Sequence, residues 1–182
     1  MALAHAKTYT EDDYYNIPED VRAELIDGQI YYQAAPSLRH QSISLELCTT
    51  INIYLKSKSG KCRVFAAPFA VKLFEDRKNV VEPDISVICD PDKLTDQGCT
   101  GAPDWIIEII SPGNPEHDYI RKLNLYKDAG VREYWIVDPR RDRIFVYFFD
   151  QDDFKVDMYT FRDKIKVNIY EDFWIDFQEL NL

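Results

Sequence analysis

Asp84, Glu108 and Lys122 are the residues of this chain whose types and settings could do chemistry. Asp84 falls on an apolar strand, Glu108 in the middle of a second, and Lys122 on the helix that follows. The second strand, Asp104–Ser111, is apolar on both faces, because Trp105, Ile107 and Ile109 alternate with Ile106 and Ile110. A strand of that kind belongs at the centre of a sheet covered on both sides. Glu108 is its one interior charge, and an ionised carboxylate there is costly unless it is paired or binds a metal. Two carboxylates and a lysine on neighbouring elements suggest metal-dependent hydrolysis.

Each of these residues also has a plainer reading. The strand Val80–Cys89 alternates Val81, Pro83, Ile85 and Val87 with Glu82, Asp84 and Ser86. That pattern is either one solvated face or a face opening into a site. If this strand pairs with 104–111, Asp84 and Glu108 converge. Two carboxylates and a backbone carbonyl, which Ile109 can supply, suit Mg²⁺ or Mn²⁺. The alternative for Glu108 is a buried ion pair with Lys122 or an arginine. Lys122 stands one helical step after Asp118. It is therefore either half of a surface Asp–Lys pair worth about a few tenths of a kcal/mol, or an ammonium near the metal. There it would orient the attacking water and offset phosphoryl charge. Tyr126 shares that face a further step along, and helix periodicity does not choose between the readings.

The elements that must position these residues can be read from caps, turns and periodicity. Thr10–Asp13 resembles a capping box with Asp in place of Glu and opens a short helix to about Asn16. Glu24–Tyr32 is a strand, an Asp-Gly turn and a second strand, a hairpin signal. Pro36 and Ser37 introduce a long helix to about Lys58, with Ile43, Leu47, Ile51, Tyr54 and Leu55 at helical spacing and Gly60 closing it. Strands are predicted at 63–67, 69–74 and 80–89, then a loop from Asp90 to Ala102. Asn114 caps a helix over 115–129 that Gly130 stops. With the strands 104–111 and 131–137 it forms a βαβ unit, so those strands should be parallel with a right-handed crossover. Antiparallel strands follow at 143–149, 154–160, 164–169 and 173–177. The fold class is mixed α/β.

Composition bounds the rest. The chain has 182 residues, 46% of them hydrophobic and 14% aromatic, which fits one globular domain over 1–182 with a substantial core. No apolar run reaches the roughly 18 residues of a membrane span, and the N-terminus is too short and polar for a secretory signal; a cytoplasmic location is expected. The four cysteines, Cys48, Cys62, Cys89 and Cys99, are scattered without a CxxC pair. They are read as reduced and not as a zinc site. A net charge of −10 argues against strong non-specific duplex binding, which draws its affinity from phosphate neutralisation. A local basic patch with metal ions would still serve.

Glu24–Gly28, His40, Pro83-Asp84, Glu108–Ser111, Lys122–Tyr126 and the Gly130–Asp138 segment together resemble the Uma2 family, from about Tyr9 to Leu180. This is a bacterial family of restriction-endonuclease-like proteins within the PD-(D/E)XK nuclease superfamily. The resemblance implies a central mixed sheet flanked by helices. It also implies an endonuclease that hydrolyses phosphodiester bonds in DNA with Mg²⁺ or Mn²⁺, with a homodimer as a further expectation. Asp84 and Glu108 would be metal ligands. The superfamily lysine would stand at Ile110; the family moves it to the following helix, which makes Lys122 the candidate. Glu24 would be either an additional carboxylate near the metal or a residue bonding within its hairpin. His40 would be either a site residue or a local helix-start residue. Asp118 would orient the lysine, and Asp118, Tyr126 and His40 together are candidates for substrate contact. Ser111 would shape the turn after its strand. The Arg140–Arg143 cluster would be a solvated turn or a phosphate contact, and Trp105 and Trp135 would be core. The rival readings are a nuclease-fold binding module with little or no catalysis, and a hydrolase of small phosphate esters.

Overall fold

The structure is a computed structural model that describes residues 7–18, 20–111, 115–149 and 154–182, with the side chains of 115–120 outside that description. The expected cap at Asn114 and the side chain of Asp118 therefore lie outside the described residues. The capping box forms as read: Thr10 and Asp13 close the N-terminus of α1 (Glu11–Tyr15). β1 (Ala23–Ile26) and β2 (Gln29–Tyr32) pair antiparallel through Asp27 and Gly28, both left-handed at φ 50° and 72°. That is the geometry the Asp-Gly dipeptide favours. α2 (Leu38–Ser57) is capped by the Ser37 hydroxyl, which accepts from the His40 amide. Its stripe of Ile43, Leu47, Ile51 and Leu55 is buried, as the spacing predicts. The left-handed residue that ends α2 is Ser59 (φ 51°) rather than Gly60.

β3 (Arg63–Ala66) and β4 (Val71–Lys72) follow. The expected single strand Val80–Cys89 is in fact two strands. β5 (Val80–Val81) pairs with β1 and β4, whereas β6 (Ile85–Ile88) pairs with β3. Pro83 lies in the break, and a proline has no amide to continue a ladder. Asp84 thus stands where the chain passes from one sheet to the other. The solvated-face reading also fails, since all four residues of β6 are buried, Ser86 included. The expected loop from Asp90 contains a 3₁₀ turn and a hairpin of β7 (Leu94–Thr95) and β8 (Gly98–Thr100). β9 (Trp105–Ile109), α3 (Pro115–Ala129) and β10 (Glu133–Asp138) then form the expected βαβ unit, with β9 and β10 parallel. β11 (Arg143–Phe149) and β12 (Phe154–Thr160) extend it antiparallel, and β13 (Lys164–Lys166) pairs with β14 (Trp174–Asp176).

The result is a mixed α/β architecture with two six-stranded sheets, ordered β2-β1-β5-β4-β8-β7 and β12-β11-β10-β9-β6-β3. β9 sits inside the second sheet, between β10 and β6, and is covered on both sides as its apolar pattern requires. Trp105, Ile107 and Ile109 pack with α2 and the β13–β14 pair. Ile106 packs with Leu125 and Tyr126 of α3 and with Val71 and Val81 of the first sheet. The cysteines are not all free thiols. The register that sets Arg63 opposite Ile88 brings Cys62 beside Cys89, and the two form a disulfide, while Cys48 and Cys99 remain free.

β8 approaches β4 so closely that a Cβ on Gly98 would stand 2.1 Å from the Ala70 carbonyl oxygen, at φ +136°. By contrast, nothing lies within 4 Å of a Cβ built on Gly60. Gly98→Ala should lower stability by about 1–3 kcal/mol, whereas Gly60→Ala should be neutral or stabilise by up to about 1 kcal/mol. Urea denaturation midpoints of the two variants check this pair.

Candidate active site

Four separate elements deliver charged side chains to one place. β1 brings Glu24, β9 brings Glu108, α3 brings Lys122, and the break after β5 brings Asp84. Glu24 and Lys122 are both buried. The Lys122 ammonium lies 2.8 Å from Glu24 Oε2 and 3.0 Å from Glu108 Oε1. Glu24 does not bond within its hairpin. Its Oε1 accepts the Glu82 amide at 2.9 Å, and the Glu82 carboxylate is in turn held by the Tyr14 hydroxyl and by Arg22. Lys122 is therefore a buried residue and not a surface one. The ion pair between Glu108 and Lys122, one of the two sequence readings of Glu108, is present.

Tyr126 is one helical step beyond Lys122 and completes the grip on Glu108. Its hydroxyl donates to Oε1 at 2.6 Å, and its ring is fully buried against Tyr134. The tyrosine thus spends its hydroxyl on a carboxylate inside the protein. Asp84 is held from two sides. Its Oδ2 accepts the Ile109 amide at 2.7 Å and faces His40 Nε2 at 3.1 Å. His40 is itself buried at the first turn of α2, with Nδ1 unpartnered among the described residues. Among the described residues the named contacts of Asp84 and Glu108 fall on Oδ2 and Oε1.

The electrostatics follow from three carboxylates around one ammonium. Burial lifts the Glu108 carboxyl to about 7; Lys122 pulls it down, Asp84 and Glu24 push it up, and the Tyr126 hydroxyl pulls it down. Burial alone would lower His40. The hydrogen bond and charge of Asp84, with the charge of Glu108, outweigh burial and raise it. The Tyr126 hydroxyl is driven far up by burial and by the neighbouring carboxylates. Asp84 and Glu24 raise Glu108, and a cation placed among these carboxylates would lower it.

The donor set fits a hard divalent ion. Two carboxylates can each offer an oxygen, and the Ile109 carbonyl lies on the side of β9 whose amide already reaches Asp84. Mg²⁺ is commonly held by only one or two carboxylates and otherwise by water. Among the described residues no group of three or more His, Cys, Asp or Glu side chains is placed to hold a metal ion.

Of the residues singled out by sequence, Glu24, Lys122, Glu108 and Tyr126 form one group of contacts and Asp84, His40 and the Ile109 amide a second, the two meeting at the Glu108–Ile109 peptide, where the Asp84 charge raises the Glu108 carboxyl. The side chain of Asp118 is outside the described residues. The Arg140–Arg143 cluster lies on the turn between β10 and β11, where Arg141 pairs with Asp138 and Asp142 with Arg39. Trp105 and Trp135 are core. Sequence reasoning missed Glu82, whose amide and carboxylate fasten Glu24; its polarity in the Val80–Cys89 alternation was the available signal.

Comparison with known proteins bears on the fold and on the family. A solved structure of a "putative nuclease belonging to DUF820" from Anabaena variabilis ATCC 29413 superimposes with a TM-score of 0.77 at 23% identity. The match covers 94% of this chain and 96% of that one. The restriction-endonuclease-like fold expected from the sequence is thus the fold observed. An uncharacterized protein of Synechocystis sp. (strain ATCC 27184 / PCC 6803 / Kazusa) is 29% identical over 147 residues, 79% of this chain and 75% of its own length. The model of the Uma2 family, described as "Putative restriction endonuclease", matches residues 11–178, and the chain belongs to that family.

Proposed function

We propose that this protein is a metal-dependent endonuclease that hydrolyses phosphodiester bonds in DNA, with Asp84 and Glu108 as the ligands of Mg²⁺ or Mn²⁺. The observation that carries the reading is the buried meeting of Lys122 with Glu24 and Glu108 beside Asp84. Among the described residues the ammonium lies between two carboxylates from different strands, Glu24 of β1 and Glu108 of β9.

When bound, the divalent ion would supply Lewis acidity toward a phosphoryl oxygen and make water more acidic. The Ile109 carbonyl would be a third protein oxygen for it. Lys122 orients the attacking water and offsets the negative charge that grows on the phosphoryl oxygens. Glu24 is a positioning residue: it fixes the Lys122 ammonium and is itself fixed by the Glu82 amide. Tyr126 positions Glu108, and His40 with the Ile109 amide positions Asp84. A catalytically weak binding module is the second reading, favoured by the net charge of −10.

Asp84→Ala and Lys122→Met should each abolish Mn²⁺-dependent cleavage of plasmid DNA, read at a temperature where circular dichroism shows both folded, with Lys122→Met melting earlier than wild type because Glu24 and Glu108 lose their counter-charge; activity retained by both purified variants would end the nuclease reading. Calorimetric titration separates the two readings further, since Mn²⁺ binding by wild type should be lost in Asp84→Ala.

Tyr126→Phe keeps the ring in the core and removes only the hydroxyl on Glu108. We expect it to weaken Mn²⁺ affinity or cleavage by about 10- to 100-fold, with thermal stability close to wild type. An unchanged rate and affinity would show that Glu108 needs no support from this hydroxyl.

A further inference from the structure

A groove of about 300 Å³ runs between α2 and β3, and Asp84 and His40 form part of its wall. Of its other residues, Arg22 enters the network above through Glu82, and the rest are not used there. Along α2 the lining recurs at Gln41, Ser44, Cys48 and Asn52, a stripe at helical spacing, with Thr49 beside it. Val64 and Ala66 of β3 supply an apolar wall opposite. Apart from Asp84 the charged side chain in the lining is Arg22, whose guanidinium already pairs with Glu82 at 3.3 Å.

This lining is wrong for a phosphate backbone, which is gripped by lysine and arginine. Amides and hydroxyls facing an apolar wall instead match an uncharged, flat ring with donors and acceptors on its edge. The size points the same way. About 300 Å³ is the lower end of small-ligand pockets, enough for one base and far too little for a paired duplex. A base still stacked in a duplex could not enter; one that is unpaired or turned out of the stack could. The net charge of −10 leaves little general attraction for phosphates, so contacts to a base would add affinity that the surface charge does not provide.

We infer that the α2–β3 groove is a subsite for an unpaired nucleobase next to the phosphate cut at Asp84. This inference rests on the nuclease reading above and narrows its substrate to nucleic acid with an unpaired nucleotide at the cleavage point.

The test is fluorescence anisotropy of the full chain in EDTA, so that no strand is cut. The probes are a labelled single-stranded oligonucleotide, the same strand fully paired, and the same strand carrying abasic nucleotides. The intact single strand should bind about tenfold or more tightly than either of the others, the scale of one base contact. Ser44→Leu and Asn52→Leu should each remove that preference. Asn52 is exposed, so its replacement leaves the core of α2 untouched. Equal binding of intact and abasic strands, or a preference that survives in both variants, overturns the subsite. Cleavage by wild type in Mn²⁺ is read in parallel. A base preference without any cleavage upholds the subsite and retires the nuclease, and cleavage without a base preference does the reverse.

Discussion

A buried ammonium is among the most demanding groups a fold can carry, and the placement of Lys122 governs much of this one. Taken out of water, it must be met by carboxylates at close range. The carboxylates that meet it come from different sheets: Glu24 from the strand next to the hairpin turn, Glu108 from the interior of the βαβ sheet. The two six-stranded sheets and α3 are thereby tied through one point charge. Removing one partner of such a buried pair typically costs about 3–5 kcal/mol, because the other is left uncompensated. The same residues that would do the chemistry thus also hold layers of the protein together.

Around that point the other groups are clamped rather than free. Asp84 is fixed by a strand amide and an imidazole, Glu108 by an ammonium and a phenol, and Glu24 by the amide of Glu82. Each clamp originates in an element stiffened by apolar packing: β9 by tryptophans and isoleucines on one face, α3 by Leu125 and Tyr126, the first turn of α2 by Ile43. Rigid elements holding polar tips allow a cluster of like charges to keep its geometry without collapsing or dispersing. The groove beside α2 is less tightly built, lined by polar residues with partial exposure.

Much of this was readable from the chain because it depends on local chemistry. The Asp-Gly turn, the Thr10–Asp13 box and the stripe of Ile43, Leu47 and Ile51 each announce an element through neighbours a few residues away. β9 announced its own burial by being apolar on both faces, and Glu108 stood out because it broke that pattern. The break at Pro83 was not readable as such. Its neighbours alternate smoothly, and only the two different sheets that claim Val80–Val81 and Ile85–Ile88 separate them. Nor did spacing pair Lys122 with Glu24, since nothing local relates positions 98 residues apart. For the same reason the Cys62–Cys89 bond was invisible without the β3–β6 register. Family resemblance named Glu24, His40, Asp84, Glu108 and Lys122 together, and the clamp through Glu82 came only with the fold.

The long reach of these contacts bears on how the protein comes into being. Lys122 meets a residue 98 positions earlier, and His40 meets one 44 positions later. Contacts of that span form only after large loops have closed, which makes them slow and late in a folding chain. A chain emerging from the ribosome has made Glu24, His40, Asp84 and Glu108 before α3 exists to bring the lysine. Until α3 docks, the carboxylates face one another without their counter-charge and have every reason to stay apart. The cluster with its counter-charge is therefore a property of the assembled fold and of no shorter stretch of the chain.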